Sequence, residues 1–293
     1  MMKRHALALA LAGLLLGAGN GAALAAEATP QPPREKWTFA GPFGKFDRAQ
    51  LQRGFKVYRE VCASCHSMSL LSFRNLAERG GPEFTREQAT VIASEYKVKD
   101  GPNDQGEMFE RPGRLADRFP SPFANEAAAR AANGGAAPPD LSVIAKARGY
   151  ERGFPWFLLD MVTQYQEHGA DYINALLKGY EDPPAGFTLP SGAQYNKYFP
   201  GHSILMPKPL NDGQVSYTDG APQTLDQYSK DVTAFLMWAA EPHLEARKRI
   251  GFQVILFLLI FAGLLYFTKK KVWKELEAPA ERARGQTPVE GSP

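Results

Sequence analysis

Both cysteines of this 293-residue chain fall within one short stretch, "EVCASCHSMSL", as Cys62 and Cys65, with His66 directly after them. This placement constrains the fold in two ways. No disulfide remains to staple distant segments together, so the folded chain must hold itself by packing. A Cys-x-x-Cys-His run also admits only a few chemistries, and the residues around it discriminate among them.

A thiol-redox site needs its first cysteine as a low-pKa thiolate at a helix N-terminus. The preceding "FDRAQLQRGFKVYRE" instead spaces Leu51, Phe55, Val57, Tyr58 and Val61 as a helical face, so the pair sits at a helix C-terminus. A structural zinc site needs four ligands, yet there is no third cysteine, and His168, His202 and His243 are isolated in sequence. Covalent haem attachment needs nothing more than the motif: two thiols for the vinyl groups and the adjacent histidine for one face of the iron. The motif predicts haem c, with Cys62 and Cys65 as attachment points and His66 as an iron ligand.

The sixth ligand must come from elsewhere. Met68 is too close to His66 to reach the opposite face, and Met161 and Met237 lie in apolar helical patterns that suggest core roles. Three candidates remain: Met108 in the loop "GEMFERPG", His202, and Met206 in "GHSILMPKPLND". Pro207 and Pro209 stiffen the chain around Met206, and a weak ligand is best held on a segment already ordered before it binds. The loop favours Met206, with Met108 and His202 as alternatives.

The ends of the chain fix its address. A basic Met1–Arg4, an apolar Ala6–Leu16 too short to span a bilayer, and an Ala23-Leu24-Ala25 cleavage pattern read as a secretory signal over residues 1–25. Near the other end, Ile250–Phe267 is an uncharged run of 18 residues, long enough to cross a membrane with some tilt. Basic triplets flank it on both sides, so orientation follows from export: a periplasmic domain over 26–246, an anchor over 250–267, and a cytoplasmic tail over 268–293. The domain carries 23 Lys/Arg against 27 Asp/Glu, which disfavours nucleic acid as a partner and suits a basic soluble protein. One stretch concentrates that charge: Glu95, Asp100, Asp104, Glu107 and Glu110 outnumber Lys97 and Lys99.

Four blocks together resemble one family. "QRGFKVYREVCASCHSM" is followed by the long "DGPNDQGEMFERPGRLADRFPSPFANEAAARAANGGAAPPDLS", then by "YFPGHSILMPKPL", then by "DVTAFLMWAAEPHLEARKRIGF". In this order, from about Phe46 to Lys271, they resemble the cytochrome c1 family, the haem subunit of the ubiquinol–cytochrome c reductase (bc1) complex. The resemblance implies an all-α cytochrome c-type domain with long loop insertions and one C-terminal transmembrane helix. It implies Met206 as the sixth ligand opposite His66. It places Pro138 and Pro139 against the haem, with a backbone carbonyl there taking the Nδ1 proton of His66, and Arg148 near the propionates. By composition Ala127–Ala137 reads as a flexible linker; in the family it is an ordered segment leading to the pocket.

The resemblance further implies single-electron transfer from the Rieske iron–sulfur protein to a periplasmic cytochrome c, next to cytochrome b, in a dimeric complex. With both axial positions filled there is no open site for oxygen or peroxide, which sets aside a peroxidase-like enzyme. A membrane-anchored carrier for another oxidase or reductase is the alternative. A first helix ending at the motif should cross a last helix over about Gln227–Ala240, with Gly54 small enough for the crossing and Phe235 or Trp238 as its partner. After Arg148, "GYERGFPWFLLDMVTQYQEHGADYINALLKGYEDPP" exceeds what the shortest family members have, and its apolar spacing predicts an added packed element.

Overall fold

A computed structural model describes residues 30–150, 153–163 and 165–284. The signal expected over 1–25 and the last nine residues lie outside these. The described chain is mostly helical, an all-α fold decorated by two short hairpins.

Its centre is a helix that is buried almost all round. We number the helices α1 (Arg48–Val57), α2 (Arg86–Ser94), α3 (Glu126–Ala132), α4 (Ile144–Ala147), α5 (Trp156–Thr163), α6 (His168–Lys178), α7 (Leu225–Ala240) and α8 (Leu244–Arg284). In α7 every residue from Asp231 to Ala239 is buried, which marks a helix enclosed by its neighbours rather than laid on a surface. Thr224 caps its start, its side chain accepting from the amide of Gln227.

Helix α1 starts at Asp47, whose carboxylate accepts from the amide of Gln50, and buries Leu51, Phe55 and Val57. It crosses α7 at Gly54, where a Cβ would lie 2.1 Å from the carbonyl oxygen of Asp231 and 2.7 Å from Cβ of Phe235. Only glycine permits this approach. Phe235 is the partner at the crossing; Trp238 packs instead on Gly81, where a Cβ would lie 2.8 Å from the indole. Next to the crossing, the buried Asp231 is answered by Arg53 Nε at 2.8 Å and Gln227 Nε2 at 2.8 Å, as a buried charge requires.

The other side of α7 receives α4 and α6, which touch so closely that a Cβ on Gly169 would lie 1.8 Å from the carbonyl oxygen of Ala145. The stretch after Arg148 forms two helices, of which α6 is the packed element expected from its apolar spacing. Helix α6 buries Ala170, Ile173, Ala175 and Leu177. Helix α5 does not pack in this way: its large apolar side chains are exposed, Met161 among them at 67%, so Met161 is not a core residue. Met237, in α7, is.

Strands β1 (Lys97–Asp100) and β2 (Phe109–Pro112) pair antiparallel, as do β3 (Gln194–Tyr195) and β4 (Ser203–Ile204). The Ala/Gly-rich stretch is ordered in its first half as α3, where Asn125 caps the start by accepting from the amide of Ala128. Helix α8 is long and apolar enough to cross a membrane between Leu244 and Lys274. Its first turn is tied to the domain through Glu245, which accepts from Arg48 Nη2 and from the amide of Phe46, both at 2.9 Å.

Candidate haem site

The motif is presented by an irregularity. After Val57 the helix widens into one π turn over Tyr58–Cys62, closed by the amide of Ala63 donating to the carbonyl of Tyr58 at 2.8 Å. Such turns recur at functional sites because they redirect the side chains that follow. The chain then folds back on itself, with the amides of Cys65 and His66 both donating to the carbonyl of Cys62. Met68 is fully buried and fixes the exit.

His66 donates from Nδ1 to the carbonyl oxygen of Pro139 at 2.8 Å. Burial lowers its pKa against the pull of that carbonyl and of Asp140, which favours a neutral ring with its Nε2 lone pair available. This is the tautomer and orientation a metal-ligating histidine needs.

Asp140 then clamps the two segments together. It accepts from Ser67 Oγ and the amide of Ser69 at 2.8 Å each, from Ser69 Oγ at 2.7 Å, and from the amide of Ser142 at 2.8 Å. The amide of Leu141 donates to the carbonyl of Ser67, and the amide of Leu70 to Ser142 Oγ. Partial burial alone would raise the Asp140 pKa; the donors around it outweigh that and hold the carboxyl well below the usual carboxylate range. No sequence pattern points to Asp140, Ser67, Ser69 or Ser142 beyond one local signal, an aspartate directly after two prolines.

Cys62 and Cys65 are not bridged to each other. Burial, followed by the neighbouring Cys65, pushes the Cys62 thiol up to about 12, the reverse of what thiol exchange demands. Among the described residues, no three His, Cys, Asp or Glu side chains converge as a metal site.

Met206 lies on the segment leaving β4. Ile204 and Leu210 bury either side of it, and Tyr180 donates from its hydroxyl to the carbonyl of Met206 at 3.1 Å. Met206 itself is half-buried. The alternatives are placed differently. His202 is 7% exposed, stacked on Tyr195 with ring centroids 5.4 Å apart and its Nδ1 3.3 Å from the carbonyl of Asn196. Met108 projects from the β1–β2 loop and is 63% exposed. Arg148 is exposed at the end of α4, close enough to Tyr172 for its charge to act on that phenol, and Tyr172 in turn neighbours Tyr180. Of the residues expected from sequence, His66 and Pro139 meet directly, while Arg148 stands near Tyr172.

The residues fit a haem: a neutral histidine with its far nitrogen open, two unbridged thiols beside it, and a proline-stiffened methionine segment. Together with the helical fold and a membrane-length C-terminal helix, they define a membrane-associated haem protein of electron transport. The chain belongs to the cytochrome c1 family, since the Cytochrome C1 family matches it over residues 37–276. It is 67% identical over 271 residues to "Cytochrome b/c1" of Bradyrhizobium diazoefficiens, a match covering 92% of this chain and 39% of that protein's length. It is 56% identical to cytochrome c1 of Blastochloris viridis, over 84% of this chain and 88% of the relative. A Solanum tuberosum protein named as the mitochondrial heme protein cytochrome c1-2 is 47% identical, over 92% of this chain and 95% of its own.

Proposed function

We propose that the chain is the haem subunit of a ubiquinol–cytochrome c reductase, receiving single electrons from the Rieske iron–sulfur protein and delivering them to a periplasmic cytochrome c. On this reading it assembles with cytochrome b and the Rieske protein in a dimeric complex. The haem domain over 26–246 lies in the periplasm, a helix over 250–267 spans the inner membrane, and 268–293 is cytoplasmic.

Cys62 and Cys65 would attach haem c, and His66 and Met206 would ligate its iron. When bound, the haem supplies a one-electron couple, and His/Met ligation favours the ferrous state relative to His/His. The chain's own residues do the positioning. Pro139 fixes the His66 ring and keeps the proton on Nδ1. Asp140 locks the Pro138-Pro139 segment to the motif. Tyr180 holds the Met206 backbone. Arg148 is proposed to meet a propionate.

The observation that carries this reading is the hydrogen bond from His66 to Pro139, because it orders an open Nε2 beside two unbridged thiols. The test is to purify the chain from its native membrane and add a ubiquinol. Co-purification of cytochrome b and the Rieske protein, with ubiquinol-driven reduction of the haem c band, is expected. A haem c protein that leaves the membrane without either subunit, and stays oxidised with ubiquinol, would instead favour a carrier serving another oxidase or reductase.

A further inference from the structure

Helix α5 is built inside out. Its one charged residue among the described positions, Asp160, is turned inward at 8% exposure, with its carboxylate 3.4 Å from His168 Nε2. The apolar side chains are exposed instead: Phe157 is 53% exposed, Leu159 49% and Met161 67%, with Phe154 just ahead of the helix at 78%. A helix covering a domain in water has the opposite arrangement. An apolar face of this kind marks a contact with something that is not water.

A run of contacts joins this face to the start of the anchor. The amide of Tyr165 donates to the carbonyl of Asp160 at 2.9 Å, and the Arg34 guanidinium sits 3.6 Å over the Tyr165 ring. From Arg34 the chain leads to Phe39, whose carbonyl accepts from Lys248 Nζ at 2.5 Å. It continues to the exposed Phe43, whose ring meets that of Phe252 at 5.6 Å. Lys248 and Phe252 bracket Ile250, where the uncharged run begins. Glu167, four residues beyond α5, lies in the field of the Lys248 ammonium. The segment that follows α5 thus lies near the start of the anchor.

We propose that α5 lies in the headgroup–acyl boundary of the bilayer, as a shallow second membrane contact next to the spanning helix. Lipid is the occupant that the chemistry favours over another subunit. The exposed set is aliphatic and aromatic, its one carboxylate is withdrawn, and the segment after it adjoins the start of the membrane-length helix, where lipid is the neighbour. Aromatic rings with a lysine at the rim, here Trp156, Phe43 and Lys248, are what a membrane interface selects. The inference rests on the reading that α8 spans the membrane.

Photo-crosslinking in the full chain, in its native membrane, separates the two. Phe157→p-benzoylphenylalanine and Met161→p-benzoylphenylalanine test α5, Leu258→p-benzoylphenylalanine tests the anchor, and Val91→p-benzoylphenylalanine on α2 is a surface control. On irradiation the Phe157, Met161 and Leu258 variants should each gain the mass of one phospholipid, and the Val91 variant should not. Lipid at Leu258 together with a protein cross-link, or no adduct, at Phe157 and Met161 overturns the role of α5 alone. No lipid at any of the three positions overturns the spanning reading and this inference with it.

Discussion

The Nδ1 of His66 and the carbonyl oxygen of Pro139 lie 2.8 Å apart although 73 positions separate the residues. The bond itself is modest, on the order of 1 kcal/mol. Its value is geometric, because it sets the tautomer and the plane of the ring. It needs Pro139 to stay in place, and the Asp140 clamp on Ser67, Ser69 and Ser142 supplies that.

Asp140→Ala should therefore loosen the pocket more than a surface substitution would. It strands the amides of Ser69 and Ser142, and a cost of about 2–4 kcal/mol is expected. Urea denaturation of the haem-loaded protein measures it. An unchanged midpoint would mean that the clamp is dispensable.

At the helix crossing, Gly54→Ala would push a methyl group into the backbone of Asp231, where the gap is 2.1 Å. Relief requires α1 and α7 to separate, at a cost of about 3 kcal/mol or more. Gly149→Ala is the comparison, since its nearest neighbour would be 3.9 Å away, and it should shift stability by no more than about 0.5 kcal/mol. Equal melting temperatures for the two variants would contradict the crossing.

Much of this framework is legible in the sequence, and the parts that are not share a cause. Leu51, Phe55 and Tyr58 announce α1 and the π turn that continues it by spacing, α7 begins two residues before its expected start, and the uncharged run marks the anchor. Glycine at position 54 hints at a crossing, but the choice of Phe235 over Trp238 depends on the rotation of α7. Strands of two to four residues, such as those of β3–β4, carry too little periodicity to read. The Asp140 clamp joins positions about 70 apart, and no local pattern encodes that. Periodicity also cannot say which solvent a face meets, which is why Met161 read as core.

Asp171 gives the fold a pH dependence. Fully buried, and accepting from the Trp37 indole, the Tyr165 hydroxyl and the amide of Glu35, it has a pKa pushed up by burial from 3.8 to about 6. A raised carboxyl pKa means that the folded state holds the proton more tightly than the unfolded chain. This contribution is present below pH 4 and is lost as pH rises through about 6, for up to about 3 kcal/mol in all. The difference in unfolding free energy between the native chain and Asp171→Asn, measured from pH 4 to 8, should shift in the variant's favour across that window. A constant difference would refute the assignment.

The acidic stretch is less free than its composition implies. Glu95 pairs with Arg59 at 2.9 Å, Asp100 pairs with Arg111, and Glu110 faces Lys99 across the hairpin. Asp104 and Glu107 are the two that the proposed encounter with a basic cytochrome c would use. Reversing both charges should slow reduction of that partner by a few-fold at low salt and have little effect at high salt. A rate independent of ionic strength would remove this surface from the encounter.

On the proposed function, His66 and Met206 would ligate one haem iron. The near-infrared methionine–iron charge-transfer band of the oxidised protein tests it most directly. Met206→Leu should abolish the band and lower the reduction potential, while Met108→Leu leaves both unchanged. Survival of the band in Met206→Leu would contradict the assignment.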